Sequence, residues 1–330
     1  MEFDQTAAAR NREGVNPEAG ADRRAIIDVG TNSVKLLVAE VSGAAVSPLL
    51  EQSEQTRLGA GLYTAHRLQD ELIRLSARVV ADFAATARRL GAGRLRVIAT
   101  SAARDAHNRG DLLQAIRDQS GLAVEVLSGQ QEGRLAFLGV ASQREFSDQP
   151  LLTVEIGGGS TQLILGQGGQ ERFCQSYALG TVRLLESLAL TDPPTATEFA
   201  QCRRQLTNFL QDRVRPTLAP ALRGFPPGHV KLVGTGGTTT ILARMALGMS
   251  GFDRARIEAL SLNRPQVRRQ RERLWRLPLA ERKRLVGLPP DRADVILIGV
   301  AIVEEVMSVL GFAVVRTSTR GLRFGAILEA

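Results

Sequence analysis

Short apolar runs and longer amphipathic stretches follow one another along the chain, and their order is repeated. Runs of alternating or continuous apolar residues predict strands, and apolar residues recurring every three or four positions predict helices. The predicted elements of the first half are strands 25–27, 34–39 and 46–53, helix 68–90, strand 95–99, helix 111–119, strand 123–127 and helix 130–140. The first half therefore has the order β-β-β-α-β-α-β-α.

The second half begins again with three strands. Its predicted elements are strands 151–156, 162–166 and 172–177, helices 182–188 and 197–215, strand 230–233, helices 241–247 and 293–310, strand 313–315 and a terminal helix after Gly321. This order predicts an α/β protein with two domains of the same kind.

The domain boundaries follow from the same pattern. We expect one domain at residues 23–140 and the other at 141–315, with residues 316–330 packed back on the first. Residues 1–22 are polar and rich in Ala and charges, which predicts a disordered extension.

One short pattern occurs in each half, where the first predicted strand meets the second. It reads Asp28-Val-Gly-Thr-Asn-Ser33 in the first copy and Glu155-Ile-Gly-Gly-Gly-Ser160 in the second. The copies start 127 residues apart, at residues 28 and 155, which is the length of one domain. Each copy predicts a strand, a tight turn and a second strand.

The two turns have the composition of a phosphate cradle. Their glycines allow positive φ and convergent backbone N–H groups. The candidate phosphate-binding residues are Gly30, Thr31, Asn32, Ser33, Lys35, Gly157, Gly158, Gly159, Ser160 and Thr161. By strand alternation, Lys35 could equally point to solvent. Two unrelated hairpins with ordinary glycine turns are the alternative interpretation.

Asp28 and Glu155, which precede the two turns, predict a metal site. A carboxylate repels a phosphate unless a divalent cation lies between them, so both acids indicate magnesium, with manganese as the second choice.

A third turn, Gly234-Thr-Gly-Gly-Thr-Thr-Thr240, joins a predicted strand to a predicted helix. Unpaired N–H groups and the helix dipole at such a junction favour an anion, which adds Gly236 and Gly237 to the phosphate-binding candidates. A plain N-capped turn has the same sequence. Because the turns come from both halves, we expect the site in the cleft between the domains.

Bulk composition narrows the class of protein. Over 330 residues, 44% hydrophobic and 23% charged residues are ordinary for globular domains. No apolar run is long enough for a membrane span, and the first 22 residues lack the apolar core of a signal peptide. The two cysteines form no CxxC pattern. We therefore expect a cytoplasmic protein without structural zinc and without a membrane partner.

Much of the net charge of +8 lies between Arg264 and Arg284, a segment called here the basic stretch. It holds nine Arg or Lys residues and two Glu residues. Apolar residues that could bury one side of it are Val267, Leu274, Leu277 and Leu285. A surface that attracts a polyanion and an ordinary solvated helical face both fit this pattern. Nucleic acid is a less favoured partner, because Trp275 is the only aromatic residue there.

Six motifs occur in a characteristic order. They are Asp28-Val-Gly-Thr-Asn-Ser33, Ala99-Thr-Ser-Ala-Ala-Arg104-Asp-Ala, Ser128-Gly-Gln-Gln-Glu132-Gly-Arg-Leu-Ala-Phe, Glu155-Ile-Gly-Gly-Gly-Ser-Thr161, Val233-Gly-Thr-Gly-Gly-Thr and Gly321-Leu-Arg323. Together they resemble the motifs of the exopolyphosphatase and guanosine pentaphosphate phosphohydrolase (Ppx/GppA) family. The resemblance implies two duplicated RNase H-like domains of the actin-like ATPase superfamily, in the short two-domain form. Because family members are often dimers, it also makes a homodimer plausible.

The resemblance implies a magnesium-dependent hydrolase. Its substrate would be inorganic polyphosphate, guanosine pentaphosphate or both, and the nucleotide would link it to the stringent response. Glu132 matches the family's catalytic glutamate, the candidate general base, although a charge that satisfies the helix dipole is an alternative. Arg104 matches an arginine thought to contact phosphate, with a surface salt bridge as the alternative.

Three positions depart from the family's usual pattern. Glu155 stands for an aspartate, Gln162 for a glutamate, and Gln131 for the acid that precedes the catalytic glutamate. Fewer acids predict weaker magnesium binding, easier approach of a polyanion and slower catalysis. A non-catalytic sensor of guanosine tetraphosphate or polyphosphate is therefore an alternative. A kinase of the same superfamily is another, against which the Glu132-Gly-Arg134 context counts.

Overall fold

The structure, a computed structural model, describes residues 22–330. The predicted disordered extension lies outside the described residues except for Asp22, which begins the first strand. Two mixed sheets, each packed against helices, form the two halves, so the predicted α/β fold with duplicated domains is confirmed. Each helix in this range is too short or too polar to cross a lipid bilayer.

The first half is built around a five-stranded sheet. Its strands are Asp22–Val29 (β1), Val34–Ser42 (β2), Ala45–Glu54 (β3), Arg94–Ala99 (β4) and Val124–Val126 (β5). Its helices are Leu62–Ala65 (α1), Asp70–Arg89 (α2), Ser101–Asp105 (α3), Arg109–Ser120 (α4) and Gly129–Ala141 (α5). The sheet order is β3-β2-β1-β4-β5, with β1 antiparallel to β2 and parallel to β4.

The second half repeats this sheet order. Its strands are Leu151–Ile156 (β6), Thr161–Gln167 (β7), Gln170–Tyr177 (β8), Lys231–Thr235 (β9), Ser261–Asn263 (β10) and Val314–Thr317 (β11). The order β8-β7-β6-β9-β11 matches that of the first sheet, and β10 adds an antiparallel edge strand.

The helices of the second half lie mostly between β8 and β11. They are Thr181–Leu188 (α6), Ala196–Phe209 (α7), Arg215–Leu222 (α8), Gly237–Leu247 (α9), Arg254–Ala259 (α10), Arg264–Arg276 (α11), Leu279–Arg282 (α12), Ile296–Leu310 (α13) and Leu322–Leu328 (α14). A π-helical turn, Leu210–Val214, joins α7 to α8, and a 3-10 turn, Pro290–Arg292, precedes α13.

Hydrophobic periodicity found most of the long elements, but not the 13-residue α11, and it missed the short ones. The predicted strands and helices are all present, although α9 begins four residues earlier than predicted and α13 three residues later. The elements that were not predicted include α1, α3, α10 and β10, which are three to six residues long. So few residues cannot display a helical or strand period.

The last helix packs against the first domain. Leu322 and Phe324 of α14 share a buried apolar cluster with Ile26 of β1 and Leu135 of α5. The two helices approach so closely that a Cβ on Gly325 would overlap the carbonyl group of Leu135. The C-terminal segment therefore connects the second sheet to the helical layer of the first.

Polar contacts join the domains near α3 and α6. The guanidinium of Arg183 pairs with Asp105 at 2.5 Å and lies over the ring of Tyr63, 4.0 Å from its centroid. The carboxylate of Glu186 accepts hydrogen bonds from the backbone N–H groups of Gly61 and Tyr63, at 2.7 and 3.2 Å. These bonds hold α1 and α3 of the first domain against α6 of the second.

Candidate active site

Each of the two Gly/Ser turns is closed by the same type of backbone hydrogen bond. The N–H of Gly30 donates to the carbonyl of Ser33 at 3.1 Å, and that of Gly157 donates to the carbonyl of Ser160 at 2.9 Å. The prediction that these glycines adopt positive φ was wrong, since neither Gly30 nor Gly157–Gly159 does so. They are needed for close packing instead: a Cβ on Gly30 or Gly157 would lie 3.0 Å from the serine carbonyl oxygen.

The turns lie against each other across a cleft. At one point the turns are in close contact, because a Cβ on Gly158 would be only 2.7 Å from Cβ of Thr31. The cleft encloses about 750 Å³, including volume open to solvent. The predicted site residues on its wall are Asp28, Gly30, Thr31, Asn32, Ser33, Lys35, Glu132, Glu155, Gly157, Gly158, Gly159, Ser160, Gly236 and Gly237.

The acid of each motif faces this cleft from the end of a strand. Burial raises the pKa of Asp28, and burial together with the nearby Glu132 raises the pKa of Glu155 to about 8. Oδ1 of Asp28 and Oε2 of Glu155 are buried and have no hydrogen-bond partner among residues 22–330. Unpaired buried carboxylate oxygens of this kind suit a hard divalent cation.

Glu132 lies in the first turn of α5, only 5% exposed. Burial raises its pKa to about 7, and the positive charge of Arg104 acts in the opposite direction. Arg104 donates to Oε2 of Glu132 at 3.0 Å and to the carbonyl of Leu127 at 2.9 Å. The structure thus places Arg104 behind Glu132, half-buried, with its second nitrogen 3.5 Å from Oγ of Ser160.

Three cations lie around the first hairpin, which also carries Asp28. Lys35 points into the cleft, opposite Asp28 in the β1–β2 pair. Arg292 donates to Oγ of Ser33 at 3.0 Å, and Arg323 donates to the carbonyl of Leu36 at 2.7 Å. Burial lowers the pKa of both Lys35 and Arg292. These cations line a second chamber of about 1040 Å³ that shares part of its wall with the first.

Arg292 is a site residue that sequence reasoning missed. It ends the 3-10 turn before α13, where the sequence contains no glycine-rich motif. The prolines at 289 and 290, which end any preceding helix, were the only local signal of a special backbone there.

The third turn approaches Glu155. Gly236 has a φ of 87°, a left-handed conformation that favours glycine, and Gly237 begins α9. A Cβ on Gly236 would lie 3.6 Å from Oε1 of Glu155, and one on Gly321 would lie 3.3 Å from it. The N-terminus of α9 therefore opens onto the cleft beside this carboxylate.

Comparison with known proteins agrees with this geometry. A model described as the Ppx/GppA phosphatase family matches residues 37–330. The chain belongs to this family. Exopolyphosphatase 2 of Mycobacterium tuberculosis is 35% identical over 295 residues, covering 86% of this chain and 89% of that protein. The resemblance drawn from the six motifs is confirmed.

Solved structures of the family have the same architecture. The Ppx/GppA family member of Aquifex aeolicus is 29% identical, with a TM-score of 0.77 over 94% of this chain and 97% of that one. An exopolyphosphatase from Cytophaga hutchinsonii is 25% identical, with a TM-score of 0.82 over 93% of this chain and 98% of that one.

Gln131 and Gln162, at which we expected departures from the family's pattern, lie in different surroundings. Gln131 is exposed and forms a capping box with Ser128, so an acid there would not face the cleft. Gln162 is fully buried, and its Nε2 donates to Oγ of Ser160 at 2.8 Å and of Ser176 at 3.1 Å. Of the two glutamines, only Gln162 contacts a residue of the cleft wall.

Among the phosphate-binding candidates in the three glycine-rich turns, Thr161 is the one that the structure places outside the cleft wall, and Arg104 does not line it either. Its hydroxyl is buried and donates to the carbonyl of Leu179 at 2.6 Å. The alternation of side chains along β7 turns Thr161 away from the side that Ser160 and Gln162 share.

The basic stretch divides its charges between two environments. Arg268 and Arg271 donate to Glu304 of α13 at 3.2 and 2.8 Å, and the buried Arg282 pairs with Asp192 at 3.0 Å. Val267 and Leu274 are buried as expected. The exposed cations with no carboxylate within 4.0 Å among residues 22–330 are Arg269, Arg273, Arg276, Lys283 and Arg284.

Proposed function

We propose that the protein is an exopolyphosphatase, a hydrolase that releases the terminal phosphate of inorganic polyphosphate, of guanosine pentaphosphate or of both. The observation that carries the proposal is Glu132, a buried carboxylate with a pKa of about 7 on the wall of the cleft between the two Gly/Ser turns. A base of this pKa is suited to deprotonating water near neutral pH. The names of the family and of its mycobacterial relative support the same chemistry.

The terminal phosphate would lie between the turns. Ser33 and Ser160 supply hydroxyl groups from opposite walls, and the N-terminus of α9 supplies the positive end of a helix dipole. Lys35 and Arg292 add positive charge on the side of the second chamber, where the rest of the polyanion would extend. Fixed positive groups of this kind stabilise the negative charge on the phosphoryl group in the transition state of its transfer.

Asp28 and Glu155 fit a magnesium site, either directly or through water. Within residues 22–330 no group of three or more His, Cys, Asp or Glu side chains could hold a metal, so protein ligands alone would not complete the coordination. Magnesium commonly binds one or two carboxylates and takes its other ligands from water and substrate phosphates. When bound, the ion neutralises these acids and polarises the phosphoryl oxygens.

Glu132 would accept the proton of the attacking water. Arg104 holds Oε2 of Glu132, which leaves Oε1 for the water. The same guanidinium keeps part of the carboxylate population ionised, because it opposes the effect of burial on the pKa of Glu132. We assign to Arg104 the positioning of this base and, through the nitrogen near Ser160, a contact with phosphate.

Three further points stay predictions. They are the preference between nucleotide and polymer, the homodimer, and the cytoplasmic location expected from the two unpaired cysteines.

The test is phosphate release by the purified protein from long polyphosphate, short polyphosphate and guanosine pentaphosphate, with magnesium and with EDTA. We expect release that requires magnesium, and the ratio of kcat/KM values decides the preferred substrate. Binding of these compounds without any release would favour the sensor over the hydrolase. Neither binding nor release would refute both.

A further inference from the structure

The hydroxyl of Ser160 is held by two donors from different parts of the fold. Nε2 of Gln162, two residues along in the same hairpin, donates to Oγ at 2.8 Å, and a guanidinium nitrogen of Arg104 approaches it at 3.5 Å. Ser160 is itself only 4% exposed and lies on the cleft wall. Its hydroxyl donates to no group among residues 22–330 in return.

This arrangement decides where the hydroxyl proton points. A serine hydroxyl has two lone pairs and one O–H donor. The amide of Gln162 occupies one lone pair and Arg104 lies near the other. Because Ser160 lies on the cleft wall, we infer that its proton is free to point into the cleft. The amide nitrogen is better placed toward the hydroxyls than the amide oxygen, because two buried N–H donors without acceptors cost more than one unpaired oxygen.

A carboxylate at position 162 would reverse this polarity. Ionised carboxylates only accept hydrogen bonds, so the proton of Ser160 would turn toward residue 162 and away from the cleft. The Gln162 amide therefore differs from an acid in more than charge. With an acid at position 162 the Ser160 hydroxyl would donate to that acid, whereas with the amide it can donate to a group in the cleft.

We propose that Gln162 is a positioning residue that fixes the Ser160 hydroxyl as a donor to a phosphate oxygen of the substrate. This inference rests on the proposed function, because it needs a phosphate in the cleft. Gln162 itself is absent from the cleft wall and acts through Ser160.

The test is a double-mutant cycle on polyphosphate binding. All variants carry Glu132→Gln, so that affinity for polyphosphate of one defined length can be measured by calorimetry without turnover. Gln162→Met removes the amide without adding charge, and Gln162→Glu reverses the polarity. Each is combined with Ser160→Ala. Gln175→Glu, on the exposed face of β8, is the control for added negative charge.

We expect Ser160→Ala to weaken binding about tenfold, as for the loss of one hydrogen bond to a charged group. Gln162→Met should weaken it about threefold when Ser160 is present and have no effect with Ser160→Ala. Gln162→Glu should weaken it at least tenfold with Ser160, and only by the charge effect, about threefold, without it. The Gln175→Glu control should bind as tightly as the parent.

Equal effects of Gln162→Met in both backgrounds, or no effect in either, would overturn the inference while leaving the proposed function intact. Failure of the parent Glu132→Gln protein to bind polyphosphate would instead overturn the proposed function and this inference with it. Thermal melts of each variant identify any that do not fold. If the buried charge of Gln162→Glu prevents folding, the uncharged Gln162→Met cycle still decides the question.

Discussion

The two halves of the cleft have the same backbone and different charges. In the first hairpin Asp28 lies opposite Lys35, and in the second, at equivalent positions, Glu155 lies opposite Gln162. The first half thus contains a cation beside its acid, whereas the second has only a neutral amide. Burial and the nearby Glu132 raise the pKa of Glu155 to about 8, although the positive charge of Lys35 in the other hairpin acts in the opposite direction. The duplicated fold places these residue pairs at equivalent positions, and the different side chains give the two halves of the cleft different charges.

The serines of the two turns also have equivalent partners that bind them differently. Each accepts from an arginine of the opposite domain: Ser33 from Arg292 at 3.0 Å and Ser160 from Arg104 at 3.5 Å. The first contact is short and direct. In the second, Arg104 is shared with Glu132, so the second turn is connected to the candidate base and the first is not.

The largest expected effect distinguishes the candidate base, Glu132, from the turns that would bind phosphate. Glu132→Gln should lower kcat for phosphate release by about 10²–10⁴-fold, because it removes the proton acceptor. Polyphosphate affinity should change little, since the turns remain. The matched control is Glu171→Gln, which makes the same change at an exposed site on β8. Unchanged turnover in Glu132→Gln would show that another group is the base.

The next prediction tests the unequal acids directly by thermal unfolding in EDTA. Asp28→Asn should lower Tm by roughly 2–5 °C, because it leaves the buried Lys35 without its nearest opposite charge. Glu155→Gln should raise Tm or leave it unchanged, since it removes a buried acid whose ionisation is disfavoured by burial and by the nearby Glu132. Both should raise the magnesium concentration needed for activity. Shifts of the same sign in the two variants would contradict the proposed asymmetry.

The pH dependence has two parts with opposite signs. A base with a pKa of about 7 is active when deprotonated, so kcat/KM should rise with pH and level off above about 7. The folded protein also holds protons on Glu132 and Glu155 that the unfolded chain has already released at neutral pH. In EDTA the stability due to these groups should therefore be complete below about pH 4.5 and fall as pH rises toward 8.

The measurement is Tm against pH in EDTA, compared with Glu132→Gln and Glu155→Gln. Each variant should flatten the part of the curve that its own acid contributes. A wild-type Tm that rises steadily between pH 5 and 8 would argue against raised pKa values for these acids.

The smallest expected effect concerns the basic stretch, which lies in the second half of the chain. Arg269→Glu combined with Arg273→Glu, one turn apart on the exposed face of α11, should raise KM for long polyphosphate about threefold and leave KM for guanosine pentaphosphate unchanged. Arg74→Glu with Arg78→Glu, at the same spacing on α2 of the first domain, is the control. Equal changes for both substrates would leave the basic stretch as ordinary solvated surface.

Local sequence patterns were sufficient for the elements that are long or duplicated. Helix α2 shows its apolar period over 20 residues, and the two hairpins could be recognised because they repeat one sequence pattern. The short helices α1 and α3 carried no such signal, although α3 holds Arg104. The reason given for the turn glycines was also wrong, since a sequence does not distinguish positive φ from close backbone approach.

The sequence by itself determined the α/β class, the duplication, and most of the residues on the cleft wall, because strand ends and glycine turns are local features. Only the tertiary structure decided the direction of Lys35, the arrival of Arg292 beside Ser33, and the separation of Gln131 from Gln162. These depend on how two domains and the C-terminal helix pack together. A contact between residues more than 100 positions apart produces no periodic pattern in the sequence. It depends on which residues are neighbours in space, and these are set by the packing of the domains.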